Sequence, residues 1–192
     1  MSAQQPTADS QLGQAHTGSK AISGVSDNTL LLLIGGAVVL FHILTNGRYG
    51  FHRDELDILM NARHLDWGFI SYPLFTPLVA RIGLTLFGAS LIGLRLFSAL
   101  VAGLIAILVG LMARDFGAGR FGQVVAALAV AISPMALTAG MLIQYLSFDY
   151  LWWIFLCFCL VRLLRTEDLR WRLAIGHQSI SCSLTLCKEI GQ

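Results

Sequence analysis

The sequence predicts an all-α, polytopic membrane bundle of about four spans, with an extracytoplasmic loop of short interfacial helices. Three observations carry that expectation. The 192 residues are 56% hydrophobic. Only 12% are Asp, Glu, Lys or Arg, about half of the roughly 25% usual in soluble domains. The chain also holds several charge-free runs long enough to cross about 30 Å of hydrocarbon at 1.5 Å per residue. The mean hydropathy of +0.70 excludes a disordered polar chain. A net charge of +2 with no basic run gives no footprint for nucleic acid.

Residues 1–27 are rich in Gln, Ser, Thr, Gly and Ala and read as a flexible polar arm. The first span covers 29–45 and ends in Thr45-Asn46-Gly47, not in the small-residue pattern of a signal-peptide cleavage site. Gly35 and Gly36 offer it a close-packing notch, and His42 reads as an interfacial histidine near its far end. The second span lies between Arg95 and Arg114. The third, 121–140, carries Ala126, Ala127, Ala129 and Ala131 for close approach, and Pro134 predicts a kink. The fourth, 147–165, is bounded by Asp149 and Arg162, both near enough to an end to snorkel. Trp152 and Trp153 near its start suit an interfacial belt.

The cysteines make no metal or disulfide framework. Cys157 and Cys159 sit in an apolar run, where free Cys acts as a small hydrophobe. Cys182 and Cys187 lie five apart in the tail, which is not a zinc spacing.

Lys and Arg placement gives the orientation. Arg114 and Arg120 follow the second span, and Arg162, Arg165, Arg170 and Arg172 follow the fourth, whereas the turn 141–146 has no Lys or Arg. This predicts a multi-pass membrane protein with a cytoplasmic N-terminus. Loop 46–94 then faces outward, against the charge rule for its Arg48, Arg53, Arg63 and Arg81.

That loop holds most of the chemistry. Residues 46–81 read NGRYGFHRDELDILMNARHLDWGFISYPLFTPLVAR and gather Asp54, Glu55, Asp57, Asp66, His52, His64 and several Arg. A connection between spans needs only a few polar residues. From Asp54 to Leu65 the pattern predicts a short helix, with Leu56, Leu59, Met60 and Ala62 on a side that can lie on the bilayer surface. Asp54 falls at the predicted N-cap and Asp57 at N3. On the residues alone, this capping role is favoured for Asp54 over catalysis. Tyr72–Gly88 is apolar apart from Arg81, begins with Pro73 and Pro77, and reads as a re-entrant or interfacial helix.

Outward carboxylates beside a bilayer suit a general base that takes a proton from an acceptor hydroxyl. Arg or a divalent cation would then neutralise a phosphate leaving group. A transporter would place its ionisable groups at mid-membrane, but the four span centres carry no charge.

The stretch YGFHRDELDILMNARHLDWG, followed by PLFTPLVAR, resembles the first outer loop of the family 39 glycosyltransferases, which have the multispanning GT-C fold. These are bacterial relatives of protein O-mannosyltransferases and lipid A aminoarabinose transferases. The likeness continues through SLIGLRLFSALVAGLIAILVGLMARDFGAGRFGQVVAALAVAISP and FDYLWWIFLCFCLVRLLRTEDLRW, and covers about 29–173. It implies transfer of a sugar, hexosyl or mannosyl in type, from a polyprenyl-phosphate-linked donor to a protein or lipid acceptor at the outer face of the plasma (inner) membrane. The residues it implies are Asp54 as general base with Glu55 beside it, and Asp149 as a further acid. Arg53 and His64 join them as candidate substrate-binding residues, Arg53 on charge logic alone. Ser71 stands where many relatives have a carboxylate, and one acid before the fourth span is absent, which argues against a required divalent metal.

The expected organisation is a polar arm (1–27), the N-terminal part of a GT-C membrane domain (28–173) and a divergent tail (174–192). Relatives continue with further spans, whereas 177–192 has no span pattern and reads as a truncated or out-of-frame end. The leading reading is therefore a fragment of an integral membrane glycosyltransferase. The alternatives are a truncated, non-catalytic membrane fragment or interaction protein, and a piece of a transporter.

Overall fold

The structure is a computed structural model, and it describes residues 26–48, 50–63, 75–88, 90–166, 171 and 173–176. The expectations for residues 1–25 of the arm, for His64 and for 177–192 of the tail lie outside the described residues. Among those described, seven helices follow one another: α1 (Asp27–Asn46), α2 (Arg53–Arg63), α3 (Phe75–Phe87), α4 (Leu91–Asp115), α5 (Arg120–Ala131), α6 (Pro134–Met141) and α7 (Tyr145–Thr166).

The helix starts follow local chemistry. Ser26, Ser90 and Ser133 accept from the backbone N–H three residues on, at 3.2, 3.4 and 3.2 Å, and so begin α1, α4 and α6. Pro134 occupies the first turn of α6, where no N–H is needed. Helices α1, α4 and α7 are each long and apolar enough to cross a membrane. Helices α5 and α6 together meet the same test but bend by 61° at Ile132–Ser133. The predicted third span with its kink at Pro134 is thus a broken pair.

Helix α4 is central and packs against α1, α3, α5, α6 and α7. Its contact with α1 is close because both helices present glycine there. A methyl group on Gly103 would lie 2.8 Å from the carbonyl oxygen of Gly35, and one on Gly110 would lie 2.4 Å from Leu31. Of the predicted notch, Gly35 meets α4 while Gly36 has open space beside it. The small face of α5 is Gln123, Ala127 and Ala131, all buried.

Polar pairs close one end of the bundle. Arg120 Nε donates to Asp27 Oδ1 at 2.7 Å, and Arg114 Nη1 donates to Asn28 Oδ1 at 2.6 Å. Arg162 Nε lies 2.7 Å from Asp115 Oδ2, and its guanidinium stands 5.4 Å from the centre of the Phe158 ring. Arg162 is therefore paired where the sequence predicted snorkelling. The opposite end carries α2, α3 and the α6–α7 junction.

Two further expectations change. His42 is buried inside the bundle: it is 1% exposed, and its ring lies so close to Gly140 that a methyl group there would be 2.4 Å from Nε2. Helix α2 divides the apolar side expected for it between the protein core and exposed positions. Its buried face is Glu55, Ile58, Leu59 and Ala62, spaced at helical period, while Leu56 and Met60 are exposed. Ile58, Leu59 and Ala62 share one core with Val79 and Ala80 of α3, Leu94, Val101 and Ile105 of α4, Ile143, and Phe148 of α7.

The α1–α4 crossing gives a direct test. Gly103→Ala is expected to destabilise the purified protein by about 1–3 kcal/mol, since the clash is with backbone. Gly36→Ala should be neutral or slightly stabilising. Thermal unfolding in detergent micelles measures both.

Candidate functional site

The site begins at the end of α1. The chain leaves the bundle at Asn46, turns through 47–52 and starts α2. His52 caps that helix: its Nδ1 accepts from the Asp54 N–H at 3.4 Å, while Glu55, the third helical residue, reaches back to the His52 N–H at 2.9 Å. This is a reciprocal capping pair, two residues earlier than predicted. It corrects the sequence reading of Asp54 as the N-cap and removes the structural role that competed with chemistry at that residue.

The two neighbouring acids have opposite surroundings. Glu55 is 1% exposed. Its carboxylate takes Arg95 Nε at 2.8 Å on Oε1 and Arg95 Nη2 at 2.7 Å on Oε2. It also accepts from the Ile143 N–H at 3.3 Å. The same guanidinium donates to the carbonyl oxygens of Asn46 and Gly50. One arginine of α4 thus ties together the end of α1, the 47–52 turn and α2, and through Glu55 it reaches the α6–α7 junction. Asn46 adds a second tie, with Nδ2 donating to Gly140 O at 2.9 Å.

Asp54, by contrast, has a side chain 57% exposed. Its Oδ2 accepts from Gln144 Nε2 at 3.0 Å and lies 3.7 Å from His52 Nδ1. Arg53 is exposed on the first turn of α2. Asp149 is exposed on the second turn of α7, at the same end of the bundle. The structure therefore brings Arg53, Asp54 and Glu55 together on one turn, with Asp149 on a neighbouring element. Arg81 of α3 donates to the carbonyls of Ala62 and Arg63 at 3.1 and 3.2 Å, holding the last turn of α2.

Below this polar end, α3, α4 and α7 enclose an apolar groove of about 340 Å³. Phe75, Phe97, Phe148 and Trp152 line it, with Phe75 edge-on to Phe148 and Trp152 at 5.3 and 6.1 Å. Phe148 and Trp152 flank Asp149 along α7. Among the described residues, no group of three or more His, Cys, Asp or Glu is placed to hold a metal ion.

Sequence reasoning missed Arg95 and Gln144. Arg95 entered only as the boundary of a span. Its signal lay in α2, where Glu55 shares the helical face of Ile58, Leu59 and Ala62; an acid on an apolar face calls for a buried cation. Gln144 carried no such signal, because its partner is 90 residues away.

The model of the dolichyl-phosphate-mannose-protein mannosyltransferase family matches residues 71–178, more than half of the chain. The chain belongs to this family of membrane glycosyltransferases. The matched segment contains α3 to α7, with Arg95, Gln144 and Asp149; Asp54 and Glu55 precede it. Comparison with curated proteins and with solved structures gives no match.

The contrast between the two acids predicts their variants. Glu55→Ala leaves a buried guanidinium unpaired and is expected to lower stability by about 3–5 kcal/mol. Asp57→Ala, on the exposed side of α2, should stay within about 0.5 kcal/mol. Chemical denaturation followed by circular dichroism distinguishes the two.

Proposed function

We propose that the chain transfers a sugar from a polyprenyl-phosphate-linked donor to an acceptor hydroxyl of a protein or lipid at the outer membrane face. The observation that carries this reading is the division of labour between adjacent acids. Glu55 is consumed by buried contacts, and Asp54 is presented to the aqueous side by the frame those contacts build.

In the reaction, the acceptor oxygen attacks the anomeric carbon as its proton passes to Asp54. The bond from that carbon to the phosphate oxygen breaks, and polyprenyl phosphate leaves with the electron pair. Attack opposite the leaving group inverts the anomeric configuration. Asp54 acts as general base, and Glu55 contributes by holding the turn. Arg53, beside the N-terminus of α2, supplies positive charge for the phosphate, and the helix end adds to it. His64 and Asp149 complete the proposed substrate contacts. The groove of Phe75, Phe97, Phe148 and Trp152 gives the donor's hydrocarbon an apolar seat beneath the acids. None of these roles requires a divalent metal.

The orientation follows the arginines beyond the second and fourth spans, against those of the acidic loop, Arg48, Arg53, Arg63 and Arg81. Arg114, Arg120, Arg162 and Arg165 gather at the end of the bundle away from the acids. By the positive-inside rule we assign this end to the cytoplasm, and the family resemblance suggests the plasma (inner) membrane.

The test is transfer from a polyprenyl-phosphate sugar to a hydroxyl acceptor by the chain in membranes. Asp54→Asn keeps shape and removes the base, and should slow transfer by about 100- to 10,000-fold. Undiminished transfer by that variant would overturn the assignment.

A further inference from the structure

We infer that Gln144 is a positioning residue for Asp54, a role that rests on the reading of Asp54 as the base. Gln144 belongs to the short junction between α6 and α7. The junction is pinned from below. Ile143 is 1% exposed within the core, and its N–H donates to Glu55. It is also closed on itself: Ser147 Oγ donates to Leu142 O at 3.2 Å, and the Ser147 N–H donates to Gln144 O at 3.2 Å. The backbone beneath Gln144 is therefore fixed, and its side chain extends outward to meet the carboxylate.

The contact is selective within that carboxylate. Gln144 Nε2 donates to Oδ2, the oxygen that also lies nearest His52 Nδ1. Oδ1 has no hydrogen bond among the described residues, so one oxygen is anchored and the other is left for the acceptor proton. An exposed Asp side chain otherwise samples several rotamers, and a base must hold its reacting oxygen within hydrogen-bond reach of the acceptor. A neutral amide orients the carboxylate without pairing its charge, as Arg or Lys would. The junction thus links the two acids in parallel: residue 143 holds Glu55 through its backbone, and residue 144 holds Asp54 through its side chain.

The experiment compares Gln144→Met, Asp54→Asn and the double variant in the full chain, in membranes, with a polyprenyl-phosphate sugar donor. Methionine keeps the side-chain length and loses the donor. Gln144→Met should lower kcat by about 10- to 100-fold with the donor KM unchanged, since displacement of a reacting group carries a penalty of that order. In the Asp54→Asn background the same change should cause no further loss, because there is no carboxylate left to orient. Thermal unfolding should match the parent chain. Gln144→Ser, which cannot reach Asp54, should behave like Gln144→Met and stands in for it if the methionine variant unfolds. Wild-type kcat in Gln144→Met or Gln144→Ser, or losses that multiply in the double variant, would overturn the positioning role while leaving Asp54 as the base. Absence of transfer by the wild-type chain, or full transfer by Asp54→Asn, would remove the reaction assigned to Asp54, and the role of Gln144 with it.

Discussion

Arg95 and Glu55 set opposite charges 2.7 Å apart where their side chains are 3% and 1% exposed. Either charge alone would carry a large desolvation penalty. Together, in a two-pronged arrangement, they compensate each other, and two further guanidinium protons go to the carbonyls of Asn46 and Gly50. The geometry of the whole acidic end follows. The end of α1, the turn after it, the first turn of α2 and the junction before α7 are fixed relative to α4 because each contributes a group to this one cluster.

The consequence for chemistry lies in the next residue. A helix turns about 100° per residue, so a glutamate anchored inward on α2 obliges its predecessor to face elsewhere. Asp54 is exposed because Glu55 points to the core. The capping contacts of His52 reinforce this, since they satisfy the first N–H groups of α2 without drawing on Asp54. Asp54, the acid proposed as base, is spared the capping role by these neighbours. The bundle beneath depends on a different constraint. Close glycine contacts bring α1 against α4, and that approach carries Asn46 near enough to receive Arg95.

Much of the architecture is legible in the sequence because span length and absence of charge are local properties. The four predicted crossings fall on α1, α4, the α5–α6 pair and α7, and Pro134 marks the break. The acidic turn after the first crossing also stands out, since charge is rare elsewhere in the chain. What escapes the sequence is pairing at a distance. Glu55 and Arg95 are 40 residues apart, and Gln144 and Asp54 are 90 apart. Nothing within either segment specifies the partner. The period of α2 held the missing clue. Counting Leu56, Leu59, Met60 and Ala62 as one apolar side leaves Ile58 out, whereas Ile58, Leu59 and Ala62 form the buried face and take Glu55 with them. His42 was misplaced for a related reason: its depth follows from the lack of a side chain at Gly140, on another helix.

The most direct test of the buried pair is a double-mutant cycle on Glu55→Gln and Arg95→Met, read as unfolding free energy in detergent micelles. If the two side chains hold the acidic end as one unit, each single change is strongly destabilising and the double is far less so than their sum, with a coupling of about 2–3 kcal/mol. Additive effects, within about 0.5 kcal/mol, would contradict it and leave the acidic turn without the frame on which the function proposed for Asp54 depends.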